Sequence, residues 1–118
     1  MISRPLTSGV TDVENESRFV IAGYWPDYRA YIDINKSAYL MTDLILFSIQ
    51  PKEDGLLKKD LCCLDDEILD KARAAKDINK SLNLLVSVGG GGRSAAFAEI
   101  SGDEMRRNTF VQELKRFW

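Results

Sequence analysis

The sequence predicts an α/β fold in which parallel strands and helices alternate in the order βαβαβα. Three short aliphatic runs, at 19–25, 44–49 and 82–88, lack a clean polar alternation, which is typical of strands buried on both faces. The segments between them, 26–42 and 50–81, are long enough for the crossover of about a dozen or more residues that parallel pairing requires. These two observations together indicate three βα units.

The second crossover contains the clearer helix pattern. Asp65 or Asp66 can cap its start, and four apolar residues then recur on one face: Ile68, Leu69, Ala72 and Ala75. The first crossover offers only a short helical candidate at 34–41. We therefore expect one long and one short helix between the strands.

The segment after the third run predicts the longest helix. Ser101 and Glu104 have the spacing of a capping box, in which the side chain of each residue accepts a hydrogen bond from the backbone N–H of the other. A shorter helical piece at 94–100 precedes it. The predicted apolar stripe of the long helix consists of Met105, Phe110, Val111, Leu114 and Phe117 or Trp118.

Composition excludes several classes of function. The chain has 118 residues with 16 basic and 18 acidic residues and no histidine. Histidine-dependent nucleophiles and the usual zinc sites are therefore excluded, and the charge balance predicts neither a nucleic acid nor a membrane partner. We predict no metal and no cofactor.

The N-terminal segment 1–17 is polar and without periodicity, which predicts a flexible tail before a domain over 18–118. No apolar run of about 7 to 15 residues follows Arg4, so no signal peptide is predicted. The compartment is left open. Cys62 and Cys63 are adjacent, and because neighbouring cysteines rarely bridge without strain, we interpret them as a pair of thiols.

Four glycines follow the third run, in the segment LVSVGGGGRS at 85–94. Glycine allows a close approach of backbone to ligand, and the carboxyl ends of parallel strands are where such folds place their sites. A phosphate loop would need G-x-x-x-x-G-K, and a dinucleotide fingerprint would need G-x-G-x-x-G or a final Ala, whereas Ser94 stands there. A small nucleotide- or anion-binding domain that uses Gly89–Gly92 remains an alternative.

The segment SVGG at 87–90 resembles the S-x-G-G motif on the third barrel strand of glycoside hydrolase family 18, the chitinase-like family. In the same order, GYWP at 23–26 resembles the family's first strand, and TDLILFS at 42–48 resembles its second. Downstream, Ser94, Phe97, Arg107 and 110–111 match the pattern that follows the motif. The resemblance covers about 19–118.

The resemblance implies a partial (β/α)8 TIM barrel, of which this chain holds the first three βα units. Members of the family hydrolyse β-1,4-linked N-acetylglucosamine glycans, with the N-acetyl oxygen of the sugar as nucleophile and a glutamate as acid. By position, Tyr24 would line the cleft floor and Ser87 would hydrogen-bond the family's catalytic aspartates. Gly89 and Gly90 would keep the strand end open for chitin or a related glycan.

Trp25 belongs to the same candidate binding set, with a plain core position as its alternative. Arg93, Arg106 and Arg107 are interpreted as solvated surface charges. Ser87 could equally bond backbone. Phe47 stands one place before the family's phenylalanine position, and because such a shift reverses the face of a strand, we do not assign it to the cleft.

The chain departs from the family in what it lacks. Many relatives have an aromatic platform where Gly91 stands, and the signature D-x-x-D-x-D-x-E is absent, so no catalytic residue is assigned. The acidic cluster at 65–67 is interpreted as a helix cap. A barrel takes roughly 250 residues, so we predict that this sequence is truncated before the catalytic strand. The predicted partner is the remainder of the barrel, in cis. The 118-residue chain alone is predicted inactive, and a non-catalytic chitinase-like lectin is the second alternative.

Overall fold

A computed structural model describes the backbone of residues 2–3 and residues 19–58 and 63–117. The strands β1 (Ile2–Ser3), β2 (Ala22–Pro26), β3 (Asp43–Ile49) and β4 (Asn83–Val88) form one sheet in the order β1-β4-β3-β2. Strands β2, β3 and β4 are parallel, and β1 runs antiparallel to β4.

The predicted α/β fold with three parallel strands is confirmed. The pairing of β1 differs from the loose tail expected there, and the rest of 1–17 lies outside the described residues. The helices are a 3-10 turn (Asp27–Arg29), α1 (Asn35–Ala38), α2 (Asp66–Ile78), α3 (Phe97–Gly102) and α4 (Glu104–Phe117).

Helix α2 forms as its pattern predicts. The Asp65 side chain accepts a hydrogen bond from the Ile68 backbone N–H at 2.9 Å, which satisfies an amide that no helical carbonyl can reach. Ile68, Ala72 and Ala75 are buried on one face, and Leu69 packs beside them. None of the helices within the described residues is both long and apolar enough to cross a bilayer.

The predicted capping box before α4 is wrong. Ser101 lies inside α3, where its hydroxyl donates to the Ala98 carbonyl at 3.0 Å. Asp103 provides the cap instead, because its carboxylate accepts from the Arg106 backbone N–H at 2.9 Å and favours the positive end of the helix.

The apolar stripe of α4 is shorter than expected. Three of its residues pack against the core, namely Phe110, Leu114 and Phe117. Met105 and Val111 are exposed, because the described part of the chain places no element against their side of the helix. Trp118 lies outside the described residues.

The core lies between the sheet and its helices. Trp25, Leu46 and Val86 are neighbours across the three parallel strands and share the face that α1 and α2 cover. Burial on both faces, predicted for all three strands, holds for β3 but not for β2, and in β4 only Val86 is fully buried. Because β2 is the edge strand, the segment 19–21 that precedes it is exposed.

The interpretation of the cysteines as thiols is wrong for Cys63, which is disulfide-bonded and buried. Its φ is 82°, a left-handed conformation that a non-glycine residue rarely adopts. The other cysteine of the sequence, Cys62, lies outside the described residues.

Candidate functional site

The carboxyl ends of β2, β3 and β4 lie at one edge of the sheet because the three strands are parallel. Each strand is followed there by a connecting segment: the 3-10 turn after β2, the segment that begins at Gln50 after β3 and the glycine loop (89–92) after β4. In parallel α/β folds, this edge carries the ligand site.

Three side chains share the sheet face opposite the helices near this edge. Tyr24 pairs with Ile45 in the register, and two residues further along β3, Phe47 pairs with Ser87. Tyr24 is 62% exposed, while Phe47 and Ser87 are half-buried. The structure therefore brings the predicted residues Tyr24 and Ser87 to one face.

Phe47 is the residue that sequence reasoning left out of this face. The register between β3 and β4 shifts between Phe47 and Ile49, which leaves Ser48 at the irregularity and fully buried. A local shift of this kind places an extra residue in one strand and changes which side chains face each way. Phe47 is two residues after Ile45 and pairs with Ser87, just as Ile45 pairs with Leu85. Pairing Ser87 with the second strand at the sequence level could therefore have indicated that Phe47 shares its face.

Trp25 lies on the other face of the sheet. It is 3% exposed, belongs to the core cluster, and its indole N–H donates to the Arg29 carbonyl at 3.3 Å. Successive residues of a strand point to opposite faces, so Trp25 cannot share the exposed face of Tyr24. The core alternative considered for Trp25 is the one that this geometry supports.

The Ser87 hydroxyl makes no hydrogen bond to any residue that the structure describes. A half-buried hydroxyl without a partner loses free energy relative to a paired one. The alternative in which the Ser87 hydroxyl bonds a backbone group is therefore not realised within the described residues.

Gly89 and Gly90 are required by close packing as well as by backbone conformation. Their φ values are 78° and 114°, in the region that side chains rarely adopt. A Cβ on Gly90 would collide with the Phe47 ring, and one on Gly89 would lie 2.7 Å from Phe97 Cε2. These two glycines thus fill the strand end tightly, whereas a Cβ on Gly91 would meet open space.

The amides of this loop are largely committed to the protein. The Gly89 N–H donates to the Ile49 carbonyl at 2.8 Å, and the Gly90 N–H donates to the Ser94 hydroxyl oxygen at 2.9 Å. The Arg93 N–H donates to the Gly90 carbonyl at 3.0 Å. A phosphate-binding loop needs such amides free to face the anion, so this arrangement disfavours the nucleotide alternative.

Arg93 is not the solvated charge that the sequence suggested. Its two terminal guanidinium nitrogens lie 2.9 and 3.0 Å from the two carboxylate oxygens of Asp27. One of them also donates to the backbone and side-chain oxygens of Ser48, both at 3.1 Å. The Arg93 side chain is 16% exposed and that of Asp27 is 7% exposed, because the loop folds back over the strand ends.

The other two arginines of the interpretation remain at the surface. Arg106 pairs with Glu99 at 3.3 Å, and Arg107 donates to the Ser101 carbonyl at 2.5 Å. Within 19–58 and 63–117, no three acidic, cysteine or histidine side chains group in a way that could hold a metal ion.

Solved chitinase structures share this fold. The active chitinase TsES1 from Trichuris suis is 18% identical with a TM-score of 0.67, covering 85% of this chain and 29% of that chain. The class V chitinase from Nicotiana tobaccum is 20% identical with a TM-score of 0.66, at coverages of 85% and 29%.

Human YKL-39, a pseudo-chitinase with retained chitooligosaccharide binding properties, is 16% identical with a TM-score of 0.66, again covering 85% and 29%. The chain thus spans less than a third of the length of these neighbours. No family model and no curated protein matches the sequence. At these identities the likeness concerns the fold, and the chain has the α/β fold of part of a chitinase-like (β/α)8 barrel.

Proposed function

We propose that this chain supplies one part of the glycan cleft of a chitinase-like glycoside hydrolase of family 18. The observation that carries the proposal is the joint position of Tyr24 and Ser87 on the helix-free face, at the carboxyl ends of parallel strands. Tyr24 presents an exposed ring of the kind that contacts a sugar. Ser87 presents a hydroxyl for which the described residues provide no partner.

In the proposed reaction, a β-1,4 bond between N-acetylglucosamine units is hydrolysed with the sugar's own N-acetyl oxygen as nucleophile. Ser87 would hold the aspartates of D-x-x-D-x-D-x-E by hydrogen bonding, and Tyr24 would form the floor beneath the reacting sugar. The glutamate that protonates the leaving oxygen is not part of this sequence, so the residues of this chain bind and orient but do not transfer the proton.

The partner of this chain is the remainder of the barrel in cis. The open edge of β2 supports this part of the proposal. Apolar side chains are exposed in the segment before β2 and directly after α1, namely Phe19, Val20, Ile21, Tyr39 and Leu40. In a closed barrel the first strand has neighbours on both sides. The proposal places the acidic signature on the next parallel strand of the barrel, which follows β4 in the family and is not part of this sequence.

A chitinase-like lectin is the second candidate function. The likeness to human YKL-39 favours it, because that fold neighbour retains chitooligosaccharide binding as a pseudo-chitinase. The final position of D-x-x-D-x-D-x-E separates the two candidates, since a glutamate there supports hydrolysis and another residue supports binding alone. Turnover of a fluorogenic chitotriose substrate by the 118-residue chain would contradict both candidates, because neither places a catalytic acid within these residues.

Glycan contact is tested by recording amide chemical shifts of the 118-residue chain with chitotetraose. We expect weak binding, with Kd above about 1 mM, and shifts centred on Tyr24 and Ser87. Tyr24→Ala should abolish these shifts. Tyr39→Ala serves as a matched control, because Tyr39 is similarly exposed, at 69%, and lies at the end of α1, outside the proposed cleft. Cellotetraose, which lacks N-acetyl groups, should give smaller shifts, and shifts centred elsewhere would count against the cleft.

A further inference from the structure

One side chain joins the carboxyl ends of all three parallel strands. Arg93 follows β4, and it bonds both Asp27, the first residue after β2, and Ser48 within β3. We propose that Arg93 is a positioning residue that fixes the glycine loop as one wall of the glycan cleft, an inference that rests on the proposed function.

The outer half of the glycine loop needs an anchor because Gly91 and Gly92 provide no side-chain contact. Glycine populates more backbone conformations than any other residue, and Gly91 and Gly92 would meet no neighbour even with a Cβ. The Ser94 hydroxyl closes the loop locally on Gly90. The Gly89 N–H already joins the loop to β3 through the Ile49 carbonyl. Among the described contacts, the Arg93–Asp27 pair is the one that joins the loop to the end of β2, so this pair fixes where the loop lies relative to Tyr24.

The chemistry of the anchor is specific to arginine. A planar guanidinium can pair with both oxygens of a carboxylate at once, and its flat face can lie on an aromatic ring. Arg93 does both, since its Cζ lies 5.4 Å from the centre of the Phe47 ring while its nitrogens hold Asp27. A lysine would keep the charge and lose the two-pronged pairing and the stacking.

The guanidinium also determines which aromatic ring is open to a sugar. Arg93 lies over one face of Phe47, and Gly90 packs against the edge of the same ring. Tyr24 is largely exposed on the same side of the sheet. Arg93 therefore assigns Phe47 to the wall and leaves Tyr24 for stacking.

Amide hydrogen exchange of the whole 118-residue chain tests this role. Arg93→Lys should speed exchange of the Gly90 and Arg93 amides by about ten- to a hundredfold, the effect of losing a charge-assisted contact. The amides of Leu46 and Val86, in the core strands, should keep their rates. Faster exchange at the core amides by the same factor would show a merely structural role and overturn the inference.

Two further variants keep the test decisive. Asp27→Asn retains the shape of the partner and should loosen the same loop amides even if Arg93→Lys fails to fold. Arg73→Ala is the matched control, because Arg73 pairs with Asp70 at 2.8 Å on the exposed surface of α2 and should leave the loop unchanged. An Arg93→Lys profile identical to that of Arg73→Ala overturns the inference.

Chitotetraose separates this inference from the proposed function. If both hold, the apparent affinity reported by the shifts at Tyr24 and Ser87 falls at least about tenfold in Arg93→Lys. Wild-type shifts that persist unchanged in this variant refute positioning and leave the cleft intact. Absence of any wild-type shift, together with fast loop exchange in Arg93→Lys, refutes the cleft while the contact between the three strands stands.

Discussion

The two faces of the sheet differ in what their side chains do. On the helix-facing side, Trp25, Leu46 and Val86 are closed off from solvent by α1 and α2. On the opposite side, Tyr24 is open and Ser87 has no described hydrogen-bond partner. The same three strands therefore hold a packed core on one face and an exposed ring with a hydroxyl unpaired among the described residues on the other, because successive side chains of a strand point to opposite faces.

The neighbouring aromatics of β2 give the largest expected contrast. Trp25→Ala should lower the free energy of unfolding by about 3–5 kcal/mol, because it leaves a cavity among packed groups. Tyr24→Ala should change it by less than about 0.5 kcal/mol, since the ring is exposed. Urea unfolding followed by circular dichroism measures both values. Equal losses in the two variants would break the distinction between the faces.

The glycine loop gives the next contrast. Gly90→Ala should cost about 2–3 kcal/mol, since it combines a φ of 114° with a collision against Phe47. Gly91→Ala, one residue further along, should cost less than about 1 kcal/mol because a Cβ there meets open space. Thermal unfolding of the two variants compares them directly. A stable Gly90→Ala would show that the loop relaxes away from the strand end.

The two serines give the smallest contrast. Ser48→Ala removes a fully buried acceptor of the Arg93 guanidinium and should cost about 1–2 kcal/mol. Ser87→Ala should change stability by less than about 0.5 kcal/mol, because no described residue bonds its hydroxyl. The same urea titration reports both. A large loss for Ser87→Ala would mean that its hydroxyl is already paired within this chain.

Local patterns predicted the elements of the fold well. The run at 44–49 and the helix that Asp65 caps are encoded within a few residues, by continuous aliphatic character and by one carboxylate placed before an apolar stripe. The cap of α4 was misplaced because Asp103 and Ser101 both have the chemistry of a cap, and the end of α3 decides between them.

The site was predicted less completely because its contacts are distant in the chain. Arg93 and Asp27 are 66 positions apart, and no local pattern distinguishes a buried arginine from an exposed one. The face of Phe47 depends on the register shift beside Ser48, which appears only when two strands are paired. Tyr24 and Ser87 were assigned because both stand in short motifs that resemble a known family, and their role in binding stays a prediction.

The open edge of β2 has a consequence for the behaviour of the chain in solution. Within the described residues its backbone pairs with β3 on one side only, and apolar side chains flank it. Such an edge is a template for another strand, whichever molecule supplies it. The chain at high concentration should consequently self-associate along β2, and a lysine introduced at Val20 should raise its solubility without altering the core.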